Sequence, residues 1–339
     1  MIKISRKLHI LFFYIKLKTS RLFRLDRYRH YTHNGRNDKK RIIFIGHSFH
    51  AKTKSNSFII EYLKRHFDVT ILLDESWRGD GKKYPNLNFI DKSYLGVIFW
   101  QNLPPHKAIS QINNRNIIFI PMFDQYGIVD FYYWKNLIDF KIICFSKILY
   151  NSLVKWGFNT IYVQYFPEPQ KFVKGDTSSV FFWQRTSKLN INIVTKLFNR
   201  PVNIHIHKAI DPNHKFVKPN SSDVKKFNIT YSDWFPNKSD MIKKMNKAAL
   251  YIAPRESEGI GLSFLEAMAI GKVVIASDKS TMNEYIIDKK TGFLYNVDKP
   301  CAIDFCNLEA IQRNVYQYMK DGYKKWNQDK ENIIKFIKE

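Results

Sequence analysis

"ALYIAPRESEGIGLSFLEAMAIGKVVIAS" spans Ala249 to Ser277, and its reading decides the fold. ALYIA is a short apolar run closed by Pro254, which predicts a buried strand followed by a loop. Leu262 to Ile270 is rich in strong helix formers, and Gly271 stops the run. VVIAS is β-branched and apolar again, so the stretch reads strand, helix, strand. Among the acids of its loop and helix, Glu258 and Glu266 stand eight positions apart with two glycines, Gly259 and Gly261, between them, in a chain of formal net charge +25. Carboxylates in a strand-to-helix loop are good acceptors for sugar hydroxyls, and one carboxylate can hold two neighbouring hydroxyls. The loop N–H groups suit an anionic ligand, and the glycines let backbone approach a ligand closely. Acids near a helix start also stabilise the helix electrostatically, so the surroundings must decide between the two roles.

The same alternation extends through the chain. RIIFIGHSF (41–49), DVTILL (68–73), NIIFIPMFD (116–124), KIICFS (141–146) and IYVQYF (161–166) read as strands, with helical SNSFIIEYLKRHF and KILYNSLVKWGF between them. Pro167, Pro169 and the polar KGDTSS (174–179) break the pattern and read as a linker. A second cycle follows: VFFWQR, helical NINIVTKLF, VNIHIH, FNITY, helical KSDMIKKMNKA, and then the opening stretch. The fold class is therefore α/β, with two Rossmann-like doubly wound domains facing across a cleft. The expected divisions are a basic amphipathic segment at 1–40, a first Rossmann-like domain at 41–173, a second at 174–300 and terminal helices at 301–339. Open α/β sheets bind ligands at the carboxyl ends of their strands, and two such edges suit a two-substrate reaction.

Composition narrows the partners. Three cysteines, Cys144, Cys301 and Cys306, with no CxxC pair, argue against a disulfide framework or a structural zinc site. Met1 to Arg41 holds thirteen Lys and Arg but only two acids, Asp26 and Asp38. Ile4, Leu8, Leu11, Phe12, Ile15, Leu22 and Phe23 recur there at helical spacing, in a run too short to span a bilayer. Two readings stand: a basic amphipathic helix on an anionic membrane surface, or a helix packed on its own domain with solvated charges. Nothing resembles an RRM, KH or helix-turn-helix module, so no nucleic-acid partner is expected.

EGIGLSFLEAMAIGKVVIAS (258–277), followed by STMNEYIIDKKTGFLY with Glu284 and Gly292, resembles the retaining GT-B glycosyltransferases of family 4, the glycosyl transferases group 1. The resemblance implies that Glu258 contacts the donor sugar and Glu266 the ribose. The backbone of Gly259, Ile260, Gly261, Leu262 and Ser263 would lie along the donor sugar and diphosphate. It also implies a nucleotide-sugar donor, retention at the anomeric carbon and no cofactor or required metal; the chain has no Asp-x-Asp. Members carry an Arg and, five residues on, a Lys for the diphosphate. Here Arg185 and Lys188 stand three apart. A family His after a mid-domain strand is absent, and Asp124 occupies its approximate place, as an acceptor for a hydroxyl or as a turn cap. Gly46 and His47 are placed at the phosphate-side loop of the first domain, with Lys52 and Lys54 as further cations. Trp234 or Phe235 would touch the base.

The function implied is hexose transfer to a lipid-linked saccharide at the cytoplasmic face of a membrane, in assembly of a bacterial surface polysaccharide such as O-antigen or capsule. The departing phosphate would take the acceptor's proton, through an oxocarbenium-like transition state. A nucleotide-sugar epimerase on the same fold and a non-catalytic GT-B-like subunit are the alternatives.

Overall fold

The computed structural model describes residues 39–76, 84–235 and 237–339. The basic segment expected at 1–40 lies outside the described residues except for its last two. Two compact units are present: one holds the described residues up to Ile120 with Asp139–Lys141 and Ile334–Glu339, the other Pro121–Ile138 and Ile142–Ile333.

The strands are β1 (Arg41–His47), β2 (Asp68–Asp74), β3 (Gly96–Gln101), β4 (Ile117–Pro121), β5 (Lys141–Cys144), β6 (Thr160–Tyr162), β7 (Asp176–Trp183), β8 (Asn203–His207), β9 (Asn228–Ser232), β10 (Ala248–Ile252), β11 (Val273–Ser277) and β12 (Gly292–Tyr295). Helices of at least seven residues among those described are α1 (Ser57–His66), α2 (Lys147–Lys155), α3 (Lys238–Asn246), α4 (Leu262–Met268), α5 (Leu308–Asp329) and α6 (Glu331–Lys338). The strands form two six-stranded sheets, in the orders β2-β1-β3-β4-β5-β6 and β12-β11-β10-β7-β8-β9. Pairing is parallel, as the α/β reading requires. Among the described residues no helix is long and apolar enough to cross a membrane.

In the first unit, Ile42 to Ile45, Val97 to Phe99 and Ile118 to Ile120 are buried on both faces. That is why their sequences are unbroken apolar runs. The end of α6 belongs to this unit: Asn116 Nδ2 donates to Ile337 O at 2.8 Å, and Lys141 Nζ to Phe336 O at 3.1 Å.

The second unit shows why register matters. Ile206, Phe182, Ile252, Ile275 and Phe293 stand side by side across five strands, and Ile204, Val180, Leu250 and Val273 form a row two residues back. Both rows are in one apolar cluster, with Leu189, Leu197, Phe198, Leu308 and Ile311 packed into it. A slip of one residue would move every member to the other face. The order turns at β7, with β8 and β9 on one side and β10, β11 and β12 on the other. Loops leaving β7 and β10 therefore diverge at a switch point, where α/β sheets bind ligands.

Three local expectations are corrected. KGDTSS is mostly strand, because β7 begins at Asp176. Its polar start is tied locally: Ser178 and Ser179 hydroxyls donate to the Asp176 carboxylate at 2.8 and 2.5 Å. NINIVTKLF makes only one α-helical turn, Ile191–Val194, before a tighter turn at Thr195–Leu197. The sequence reading also leaves β3 and β12 unassigned: β3 opens with Gly96, and β12 has only four residues.

Lys272, just before β11, is fully buried. Its Nζ donates to Val173 O and Asn246 O, both at 3.0 Å, joining the chain before β7 to the end of α3. Burial lowers its pKa to about 8. Between that value and the ordinary lysine range the unfolded chain binds the extra proton, so this group makes stability rise with pH. From pH 8 to 10 the unfolding free energy of the wild type should rise relative to Lys272→Met, by at most about 1.4 kcal/mol per pH unit. Urea titrations of both proteins check this; a difference that does not change with pH would refute it.

Candidate active site

Four charged side chains of the second unit form one chain of ion pairs at the β7 and β10 ends. Arg185, two residues past β7, donates from Nε and Nη2 to Asp211 Oδ1 at 3.1 and 2.8 Å. Arg255, three residues past β10, donates from Nη2 to the other oxygen, Asp211 Oδ2, at 2.5 Å. Its Nη1 reaches Asp124 Oδ2 at 3.3 Å. One carboxylate thus bridges two guanidiniums, and the second guanidinium bridges two carboxylates. The side chains of Asp211 and Asp124 are 11% and 19% exposed, so solvent screens these pairs little.

Glu258 sits in the same loop as Arg255 and is 7% exposed. Burial pushes its carboxyl above the ordinary range, with Arg255 and then Arg185 opposing that shift. Burial likewise raises Asp124, against Arg255. For Arg255, burial works against the charge, but Glu258, Asp211 and Asp124 outweigh it and raise its pKa. Glu258 Oε1, Asp124 Oδ1 and Arg255 Nε are all buried without a hydrogen-bond partner. Buried polar atoms are ordinarily satisfied, so two acceptors and one donor here point to a ligand that can both donate and accept.

The glycines of the loop are explained by protein neighbours. A Cβ on Gly259 would stand 2.7 Å from Met122 Cβ, and one on Gly261 1.8 Å from Phe264 Cε1. Gly261 also caps α4 at φ 85°, a left-handed conformation that only glycine adopts freely. Ile260 is buried, whereas Leu262, Ser263 and Glu266 on α4 are partly exposed. The charge of Glu266 helps, after burial, to raise the pKa values of Tyr165 and Tyr251.

At the β8 and β9 ends lies an aromatic group. The His207 ring stacks on Phe235 at 4.9 Å and meets Trp183 at 5.4 Å, while Trp234, 49% exposed, stands edge-on to Trp183 at 6.2 Å. Arg185 lies over Trp183 at 5.1 Å. Burial lowers His207 to about 4, with Asp233 opposing, so its ring is neutral at pH 7. Trp234 thus adjoins Trp183, a residue the sequence reading passes over, and Phe235 adjoins His207.

Part of the second unit, residues 226–334, which hold Arg255, Glu258 and Glu266, matches the family model described as glycosyl transferases group 1. An uncharacterized glycosyltransferase of Methanocaldococcus jannaschii is 25% identical over 205 residues, which cover 56% of each chain. A lipopolysaccharide core biosynthesis mannosyltransferase of Rhizobium leguminosarum bv. viciae is 35% identical over 75 residues, 22% of this chain and 19% of that one. The chain thus spans little more than half of one curated relative and a fifth of the other. HepE of Anabaena, solved with UDP and glucose, superposes with a TM-score of 0.58 at 13% identity, covering 87% of this chain and all of that one. The fold is GT-B.

Within the group 1 region, Glu284 has a structural part. Its carboxylate accepts from Ser146 Oγ at 2.8 Å, Lys147 N at 2.7 Å, Ile148 N at 3.4 Å and Ser280 Oγ at 2.8 Å. It caps the first turn of α2, whose N–H groups would otherwise lack partners. Lys188 is exposed on the loop after β7. Gly46 and His47 belong to the first unit. There the His47 and His50 rings stack at 3.7 Å, and His47 Nε2 lies 3.3 Å from Gln101 Oε1. Burial lowers both histidines, His50 to about 3.

The structure brings together Arg185, Glu258 and Asp124 from the sequence-predicted residues. It adds Arg255 and Asp211, which sequence reasoning missed. Arg255 lies three residues before Glu258, but one more arginine in so basic a chain carries no signal. Asp211 is 26 residues from Arg185, and nothing local ties the two.

Replacing Glu284 with Ala should lower the unfolding free energy by about 2–3 kcal/mol, because charged hydrogen bonds to α2 are lost. Glu284→Gln should cost less. Urea unfolding measures both; a loss within the roughly 0.5 kcal/mol of an ordinary surface change would show that the cap is dispensable.

Proposed function

We propose that this chain is a glycosyltransferase that moves a hexose from a nucleotide-sugar to an acceptor hydroxyl with retention. The observation that carries the reading is the meeting of Arg185, Arg255 and Glu258 at the switch point of the second sheet, beside and within the group 1 region. In this reading Arg185 and Lys188 hold the diphosphate, Glu258 the donor sugar and Glu266 the ribose. The backbone from Gly259 to Ser263 runs along the donor, and Trp234 flanks the base. The nucleotide diphosphate gains charge as the glycosidic bond breaks, and fixed cations in a poorly solvated place stabilise it. No metal ion is then required. HepE, with its UDP and glucose, supports a donor of this class.

Arg185 and Arg255 face three carboxylates, those of Asp211, Asp124 and Glu258. An incoming diphosphate therefore competes with Asp211 for Arg185, and exposed Lys188 supplies further positive charge. The acceptor in this reading is a lipid-linked saccharide at a membrane surface, in polysaccharide assembly. Two observations support it: the basic residues 1–40 and the Rhizobium relative's lipopolysaccharide role.

A thermal-shift screen with UDP, GDP and dTDP tests the site. One of them should stabilise the fold by about 2–3 kcal/mol at a hundredfold excess over Kd, and Arg185→Ala should lose that gain. Glu258→Gln should keep the nucleotide-dependent gain while donor turnover falls about 10²–10³-fold. No stabilisation by any of the three nucleotides would sink the proposal.

A further inference from the structure

Arg255 has no part in the sequence-based site, yet it touches more of the charged cluster than any residue that does. Its Nη2 and Nη1 are held at 2.5 and 3.3 Å by Asp211 and Asp124, and Glu258 is three residues on in the same loop. Asp124 uses Oδ2 for this pairing and keeps Oδ1 buried and unpartnered, as Glu258 keeps Oε1. We propose that Arg255 is a positioning residue: gripped by Asp211, it keeps the Asp124 and Glu258 carboxylates charged and aimed as paired acceptors for hydroxyls of the transferred sugar. This rests on the glycosyltransferase reading for the identity of the ligand, but not for the electrostatics.

The charge count makes the role necessary. Asp124 and Glu258 repel each other, and burial disfavours the charged form of both. Besides Arg255, the charged groups acting on them are Arg185 past β7 and Asp211 past β8, with Tyr251 of β10 beside Glu258. Arg185 gives two donors to Asp211, so Arg255 is the cation that contacts Asp124 directly. A protonated carboxyl has lost part of its capacity to accept and competes as a donor. Without Arg255 both carboxyls would be pushed further toward the protonated form. Arg255 Nε is also buried without a partner, which leaves the guanidinium one more donor for a ligand hydroxyl.

The test compares wild type, Arg255→Met and Arg255→Lys in the full chain. The first readout needs no substrate: urea unfolding from pH 5 to pH 8. If Arg255 serves the carboxylates, the folding equilibrium constant lost on Arg255→Met is at least tenfold larger at pH 8, where they are charged, than at pH 5; Arg255→Lys recovers most of it. A merely packing role predicts a loss independent of pH, with Lys no better than Met, and that result overturns the proposal. The second readout is turnover of UDP-, GDP- or dTDP-hexose, according to which nucleotide stabilises the fold. The acid limb of the pH–kcat profile should move up by at least one unit in Arg255→Met, with kcat falling about 10²-fold and donor KM changing less than threefold. Arg255→Lys should keep the wild-type limb. An unmoved limb in Arg255→Met refutes the positioning role even where kcat falls. Should the wild type bind none of the nucleotides and consume no donor, the glycosyltransferase reading fails, while the unfolding data still decide what Arg255 does for its two acids. Should Arg255→Met fail to fold, Arg255→Lys decides alone: its stability against pH must follow the wild type, and a loss independent of pH rejects the proposal.

Discussion

A single carboxylate, Asp211, holds two guanidiniums that would otherwise repel. Arg185 leaves β7 and Arg255 leaves β10, and these strands are neighbours, with Tyr251 paired to Phe181 and Ile252 to Phe182. Loops two or three residues beyond such ends must bring the arginines close. The acid comes from past β8, the neighbour on the other side of β7. Three loops from three adjacent strands therefore meet at one carboxylate, and the sheet order is what makes the meeting possible.

Pairs this poorly exposed lose hydration on folding and regain it only through good geometry. The Arg185–Asp211–Arg255–Asp124 chain has that geometry, yet it leaves one atom each on Glu258, Asp124 and Arg255 without a partner. A scaffold selected for stability alone would satisfy them. The residual demand falls on two acceptors and one donor of the same charged cluster.

The motif that marks the group 1 region divides into two kinds of residue. Gly259 and Gly261 make room for Met122 and for the Phe264 ring, and Glu284 caps α2 from a distant point in the chain. These positions build the scaffold. Glu258 belongs to the charged cluster instead. Sequence proximity joins the two kinds, but their physical tasks differ, so loss of function at one position says nothing about the task of its neighbour.

The chain by itself determined the layered α/β architecture, because period and burial are written locally: short apolar runs rich in β-branched residues, such as RIIFI and KVVIA, read as buried strands where turn residues bound them. It also pointed to Glu258 and Arg185, through a motif and through chemistry. It left β3 and β12 unassigned, one opened by a glycine and one too short to show a period, and it read the polar start of β7 as linker. Arg255 and Asp211 were beyond it altogether. Their importance lies in a separation of 44 residues that becomes 2.5 Å only once β7, β8 and β10 lie side by side. Strand order is a long-range outcome of packing; no local pattern encodes it, and the charged cluster exists only because of it.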